Sequence, residues 1–166
     1  MKKQMLTLAL ALTLFRCGTA PAGDANPSVE LRKMILSTDT SSGAAVIMDA
    51  HSDDSIHSLM SSTEGDASIY VSTGGVVIGG GRYPSVRAAA IAFVKEVMKH
   101  AGAMQPASEY PYPAPGHIRF YLRAGGRTSF IEVPESELAG GTHTFSAAYG
   151  AAEKVIAEYE KAVGAR

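Results

Sequence analysis

Residues 67–82 read ASIYVSTGGVVIGGGR, and the fold turns on how this stretch is parsed. Ala67 to Ser72 alternates small or apolar residues (Ala67, Ile69, Val71) with Ser68, Tyr70 and Ser72, the period of a strand with two different faces. Gly74, Gly75, Gly79, Gly80 and Gly81 follow, around the apolar island Val76-Val77-Ile78. Glycine admits positive φ and close backbone approach, so the segment either turns a tight corner or cradles a ligand. Pro84, preset for a first helical turn, then opens the strongest helix of the chain. Val86, Ala90, Phe93, Val94, Val97 and Ala101 fall on one of its faces, and Arg87, Lys95, Glu96 and Lys99 on the other, with Gly102 as the stop.

Working outward towards the start, Glu64-Gly65-Asp66 marks a turn, and Ser55 to Ser61 pairs as a hairpin with Ala44 to Met48 across a loop at Asp49 to Asp54. Val29 to Leu36 forms a short amphipathic helix capped by Ser28, with Ser37 to Gly43 as its exit. At the very start Lys2 and Lys3 precede the apolar run Met5 to Phe15 and the A-x-A site Ala20-Pro21-Ala22. Eleven apolar residues are too few for a bilayer, which takes ~20, so residues 1–22 read as a secretory leader. The product is expected in the periplasm or outside the cell. A lipid anchor on Cys17 is the weaker reading, because Arg16 stands where a lipobox places a small residue.

Removing 22 of 166 residues leaves 144, a single α+β domain over residues 23–166. Its twelve basic and sixteen acidic residues give a net charge of −4 with neutral histidines. That mild acidity argues against nucleic acid or an anionic membrane as partner. No transmembrane segment is expected in the mature chain, and a protein partner or a homo-oligomer remains open.

Downstream of the central helix, prolines 106, 111, 113 and 115 interleave with Tyr110 and Tyr112 and favour an extended crossing over the surface. His117 to Arg123 and Thr128 to Val133 form a hairpin through Ala124-Gly125-Gly126-Arg127. Glu135 to Leu138 offers one helical turn, and Ser146 to Val163 is a final helix with Tyr149, Ala152, Val155, Ile156, Tyr159 and Val163 inward. The order α-β-β-β-α-β-β-α describes an antiparallel sheet of about five strands, packed by two long helices and a short N-terminal helix.

Three segments, Ala67 to Gly81, Pro113 to Tyr121, and Glu137-Leu138 ahead of Gly141-Thr142-His143, together resemble a family of small bacterial proteins of uncharacterised function. The likeness spans most of the mature chain, although the leader departs from that pattern. It implies a shared fold and no reaction, ligand or catalytic residue.

The glycine-rich stretch fails the strict phosphate-binding signatures. Gly74 to Gly79 is followed by Gly80 and Gly81 where a P-loop has Lys and Ser or Thr, and Pro84 stands where a dinucleotide fingerprint needs glycine. A looser anion site would gather Ser72, Thr73, Gly74, Gly75, Gly79, Gly80, Gly81 and Arg82. Asp49 to His57, with His51, Asp53 and Asp54, carries metal-ligand types but reads better as a solvated turn. Ser72 with His117 or His143 is the serine arrangement open to a hydrolase, and Glu132, Glu135 and Glu137 mark an exposed strand exit. The residues therefore favour a protein that acts by binding or association, without cofactor or metal. An enzyme or anion binder built on Ser72 to Arg82 is the alternative.

Overall fold

The computed structural model describes residues 26–38 and 43–164; the expected cleavage site and Cys17 lie outside them. Along the chain come α1 (Pro27–Ser37), β1 (Ala44–Ser52), β2 (Ser55–Ser62), β3 (Ala67–Val71), β4 (Val76–Val77), α2 (Pro84–Met98), β5 (Gln105–Pro106), β6 (His117–Ala124), β7 (Arg127–Pro134), α3 (Glu135–Ala139) and α4 (Ser146–Gly164). Short 3-10 turns occupy Gly80–Arg82 and Ala101–Ala103. All neighbouring strands pair antiparallel in one sheet, ordered β4-β3-β2-β1-β6-β7-β5.

The α+β class and the antiparallel sheet agree with expectation, but the described residues form seven strands and four α-helices where about five strands, two long helices and a short N-terminal helix were expected. The additional strands, β4 and β5, are two residues long and form the two edges. One is hemmed in by glycines and the other contains Pro106, so neither carries an alternating pattern. Short edges of this kind offer little template for another chain.

The two sheet faces differ in chemistry. On one, Val46, Met48, Leu59, Ile69, Ile118, Phe120, Leu122 and Val133 pack with Val86, Phe93, Val94 and Val97 of α2 and Ala152, Val155, Ile156 and Tyr159 of α4. On the other, a small cluster of Leu36, Ile47 and Tyr121 is flanked by Met60, Tyr110 and Phe130. That second face lies under α1 and the proline-rich crossing. All five residues of β3 are buried, so the expected half-buried strand is corrected: helices α1 and α2 both contact it.

Local signals explain the ends of elements. Asn26, and not Ser28, caps α1: its side chain accepts from Ser28 N at 3.1 Å, and Pro27 supplies the first helical position. The β6–β7 turn uses Gly125 and Gly126 at φ 57° and 72°, the pair of positive angles a two-residue hairpin turn requires. Ala101 is exposed in its 3-10 turn, outside the buried stripe of α2. No helix among the described residues is long and apolar enough to cross a membrane.

His57, half-buried on β2 opposite Ala50 and Val71, gives the fold a dependence on pH. Burial pushes its pKa below the ordinary 6.5, and the nearby Asp53 opposes this only in part. The unfolded chain then binds more protons than the folded one as pH falls through 6.5, so stability is full above that value and declines below it, levelling off under the folded pKa. Denaturant midpoints between pH 7.5 and 5 are expected to fall in the wild type and to fall less in His57→Gln. Equal slopes in the two proteins would remove His57 as the cause.

Candidate functional site

The structure pulls the glycine-rich stretch apart. Gly75 packs against Val71 at one end of β3, with 3.9 Å from its would-be Cβ, whereas Gly80 lies 3.0 Å from Ala67 at the other. Four residue steps along a strand place these ends about 13 Å apart. Ser72, Thr73, Gly74 and Gly75 therefore form the β3–β4 turn, while Gly79, Gly80, Gly81 and Arg82 form a separate corner leading into α2. Ser72 Oγ accepts from Ile56 N at 2.8 Å, and Gly75 O accepts from Val71 N and from Ser28 Oγ. Arg82 is exposed beside the Tyr83 ring, its guanidinium carbon 5.2 Å from the centroid. Glu158 from α4 reaches Ser85 at the start of α2, which places a carboxylate of the chain itself at the helix end nearest Arg82.

The histidines do not gather around Ser72. His117 sits on β6, three strand spacings or about 14 Å from β3, and its Nδ1 lies 3.2 Å from Pro115 O. Nδ1 of His143 accepts from Phe145 N at 3.2 Å just before α4. The three glutamates also part. Glu132 is half-buried on β7 and pairs with Arg119, Glu135 accepts from the Tyr149 hydroxyl at 3.3 Å, and Glu137 is exposed.

At the corner itself, the Tyr159 hydroxyl is buried without a hydrogen-bond partner. Such a group carries its desolvation penalty with no return bond. Tyr159→Phe is therefore expected to leave stability unchanged or to raise it by up to about 1 kcal/mol, read from a denaturant melt. A loss of that size would mean that the hydroxyl has a partner in solution.

Asp49 required the largest correction. It is fully buried on β1, not part of a solvated turn; only Asp53 and Asp54 make that turn. Arg32 Nε donates to its two oxygens at 3.1 and 3.2 Å, Arg32 Nη2 donates to Oδ2, and Ser58 Oγ donates to Oδ1. The Tyr112 ring stacks over the guanidinium at 4.3 Å, and Arg32 Nη1 donates to Tyr110 O at 2.9 Å. Burial alone would lower the Arg32 pKa, but the hydrogen bond to Asp49 and its charge leave it raised. With every oxygen and nitrogen turned towards a partner inside the protein, this cluster serves to dock α1. Among the described residues no group of three His, Cys, Asp or Glu side chains is placed to hold a metal.

The proline-rich crossing is held in the same manner. Pro111 O accepts from the Tyr121 hydroxyl at 2.7 Å and from Arg119 Nη1 at 3.0 Å, and His51 Nε2 contacts Pro113 O at 2.9 Å. His51 is thereby tied to the crossing.

A cleft of about 360 Å³ opens beside the C-terminal end of α1, lined by Ser37, Pro106, Ala107, Tyr110, Arg123, Gly126, Arg127 and Thr128. Thr128 Oγ1 donates to Leu36 O at 3.0 Å and Arg123 Nη1 to the same oxygen at 3.4 Å, which fixes the floor of the cleft to the last turn of α1. Its residues come from three segments far apart in sequence and share no motif, so only the register of β6 with β7 brings them together. Compared with models of known protein families, with curated proteins and with solved structures, the chain matches none of them.

Proposed function

We propose that this is an exported binding protein that works without a cofactor and takes a small molecule in the cleft between α1, the segment 105–110 and the β6–β7 hairpin. The observation that carries this reading is the cleft itself, whose volume of about 360 Å³ falls within the range of small-ligand sites, roughly 300–1,000 Å³. Two features weigh against the rivals. Ser72 is bonded to a backbone amide and stands apart from Arg82, which disfavours a hydrolase on the glycine-rich stretch. Both sheet edges end in two-residue strands, which disfavours association by strand pairing.

A chemical-shift screen of small molecules against the mature protein tests the reading. Perturbed amides should cluster at Ala107, Gly126, Arg127 and Thr128; ligands that perturb only Ser72 to Arg82 would transfer the function to the glycine-rich stretch. Export rests on the leader at residues 1–22. Intact mass of the secreted product should correspond to a chain starting at Gly23, and a product keeping Met1 or carrying lipid on Cys17 would reject that leader class.

A further inference from the structure

We infer that the junction between α3 and α4 is a pH-sensitive clasp, closed while the His143 ring is neutral and loosened when that ring takes up a proton. The junction is tied together around a single carbonyl. Glu137 O, in α3, accepts from Thr142 N at 3.1 Å, from Thr142 Oγ1 at 3.2 Å and from Ser146 Oγ at 3.3 Å. Ser146 Oγ in turn accepts from His143 N at 3.3 Å, and Ser146 N donates to His143 O at 3.0 Å, so the first residue of α4 and the histidine before it hold each other. The His143 side chain closes the set, because its Nδ1 accepts from Phe145 N at 3.2 Å. Phe145, between the two, is fully buried, with its ring 5.5 Å from that of Phe120 on β6.

The bond from Phe145 N fixes the chemistry of the imidazole. A backbone amide only donates, so Nδ1 must be bare and the neutral ring carries its hydrogen on Nε2. Protonation adds a hydrogen to Nδ1, and two donors then face each other. It also places a positive charge at the N-terminal end of the 19-residue α4, where the helix dipole opposes it. Both effects act in the same direction, and the ionisable groups nearby do not cancel them. His100, from the turn after α2, packs on the same Phe145 ring at 5.3 Å, against 5.9 Å for His143, so its own protonation adds a like charge. Lys99 beside it is paired with Glu96. Glu135 and Glu153 are drawn to the Tyr149 hydroxyl, and the exposed Glu137 side chain acts through water, which screens its attraction. A histidine side chain ordinarily changes charge near pH ~6.5, so the clasp is shut at neutral pH and loosens in mild acid.

An NMR titration of the purified protein from pH 7.5 to 5 tests this. At the start, the ring nitrogens of His143 should show hydrogen on Nε2 and none on Nδ1. As the ring is protonated, the protection of the Phe145, Ser146 and Tyr149 amides against hydrogen exchange, corrected for the pH dependence of the intrinsic rate, should fall by about tenfold, for one lost hydrogen bond and an opposed dipole. His143→Asn offers the same amide an oxygen that does not titrate, and its protection should stay level. The fall should persist in His57→Gln, which removes the separate pH dependence of β2. Hydrogen on Nδ1 of the neutral ring, level protection in the wild type, or an equal fall in His143→Asn would each overturn the inference. A fall that vanishes in His57→Gln would overturn it as well, by assigning the effect to the sheet. Should His143→Asn fail to fold, the hydrogen position and the wild-type exchange decide the matter.

Discussion

Arg32→Ala is expected to destabilise the protein by about 3–5 kcal/mol, the range for removing one partner of a buried ion pair. The magnitude follows from burial: Arg32 and Asp49 side chains are 4% and 0% exposed. The pairs Lys99–Glu96 and Lys161–Glu158 lie in solvent, where water and salt screen the attraction and leave it of little weight. Without Arg32, Asp49 keeps the hydrogen bond from Ser58 Oγ, Tyr110 O loses an Nη1 donor, and Tyr112 loses the cation beneath its ring. The measurement is a denaturant melt, with hydrogen exchange of α1 as a local readout. Arg32→Met combined with Asp49→Leu should be milder than either single alanine variant, because apolar replacement of both partners leaves no unpaired charge. A loss below ~1 kcal/mol for Arg32→Ala would mean that α1 is held by its other anchors.

The second large effect is expected at Gly80. Its φ lies outside the left-handed region that Gly79 occupies at 80°, so backbone conformation does not demand glycine there. Room does. A Cβ on Gly80 would stand 2.5 Å from Tyr159 Cε2 and 3.0 Å from both Ala67 Cβ and Ala67 O. The tyrosine could swing away, but the Ala67 carbonyl belongs to the sheet. Gly80→Val should therefore cost about 3 kcal/mol, the upper end for overpacking. Gly79→Ala should cost ~1 from its angle, Ser72→Ala ~1 for the bond to Ile56 N, and exposed Arg82→Ala less than ~0.5. Melts of the four variants rank them. Gly79→Ala proving worse than Gly80→Val would show that strain, and not contact, governs the corner.

The long elements were legible because each had a period of its own. The stripe of α2 as far as Val97, the stripe of α4 as far as Tyr159 and the hairpin at Gly125 are local patterns that the structure keeps, whereas α2 ends at Met98 ahead of Gly102, β1 runs on to Ser52 where a loop from Asp49 was expected, and Val163, expected inward, is exposed. The misreadings share a cause. Asp49 looks like the first residue of a polar turn because Asp53 and Asp54 follow, and nothing nearby reveals that Arg32, seventeen positions earlier, will lie against it. The β3 strand looks half-exposed because the helix that covers Ser68 and Tyr70 comes from before β1. Asn26 was a cap signal available to inspection, since Pro27 fits the position after a cap. The cleft carried no such signal: Ser37, Tyr110 and Arg127 become neighbours only through the crossing and the β6–β7 register.

The proline-rich crossing has a bearing on how the protein survives at high concentration. Pro106, Pro111, Pro113 and Pro115 have no amide hydrogen, while the carbonyls of residues 110, 111 and 113 are already occupied by Arg32, Arg119, Tyr121 and His51. Two of the amides it does carry are turned inward, Ala107 N to Thr128 O and Ala114 N to Glu132 Oε1, so the crossing offers few backbone groups to an incoming strand. Neighbouring copies at high concentration therefore find little along this crossing from which to grow a shared sheet.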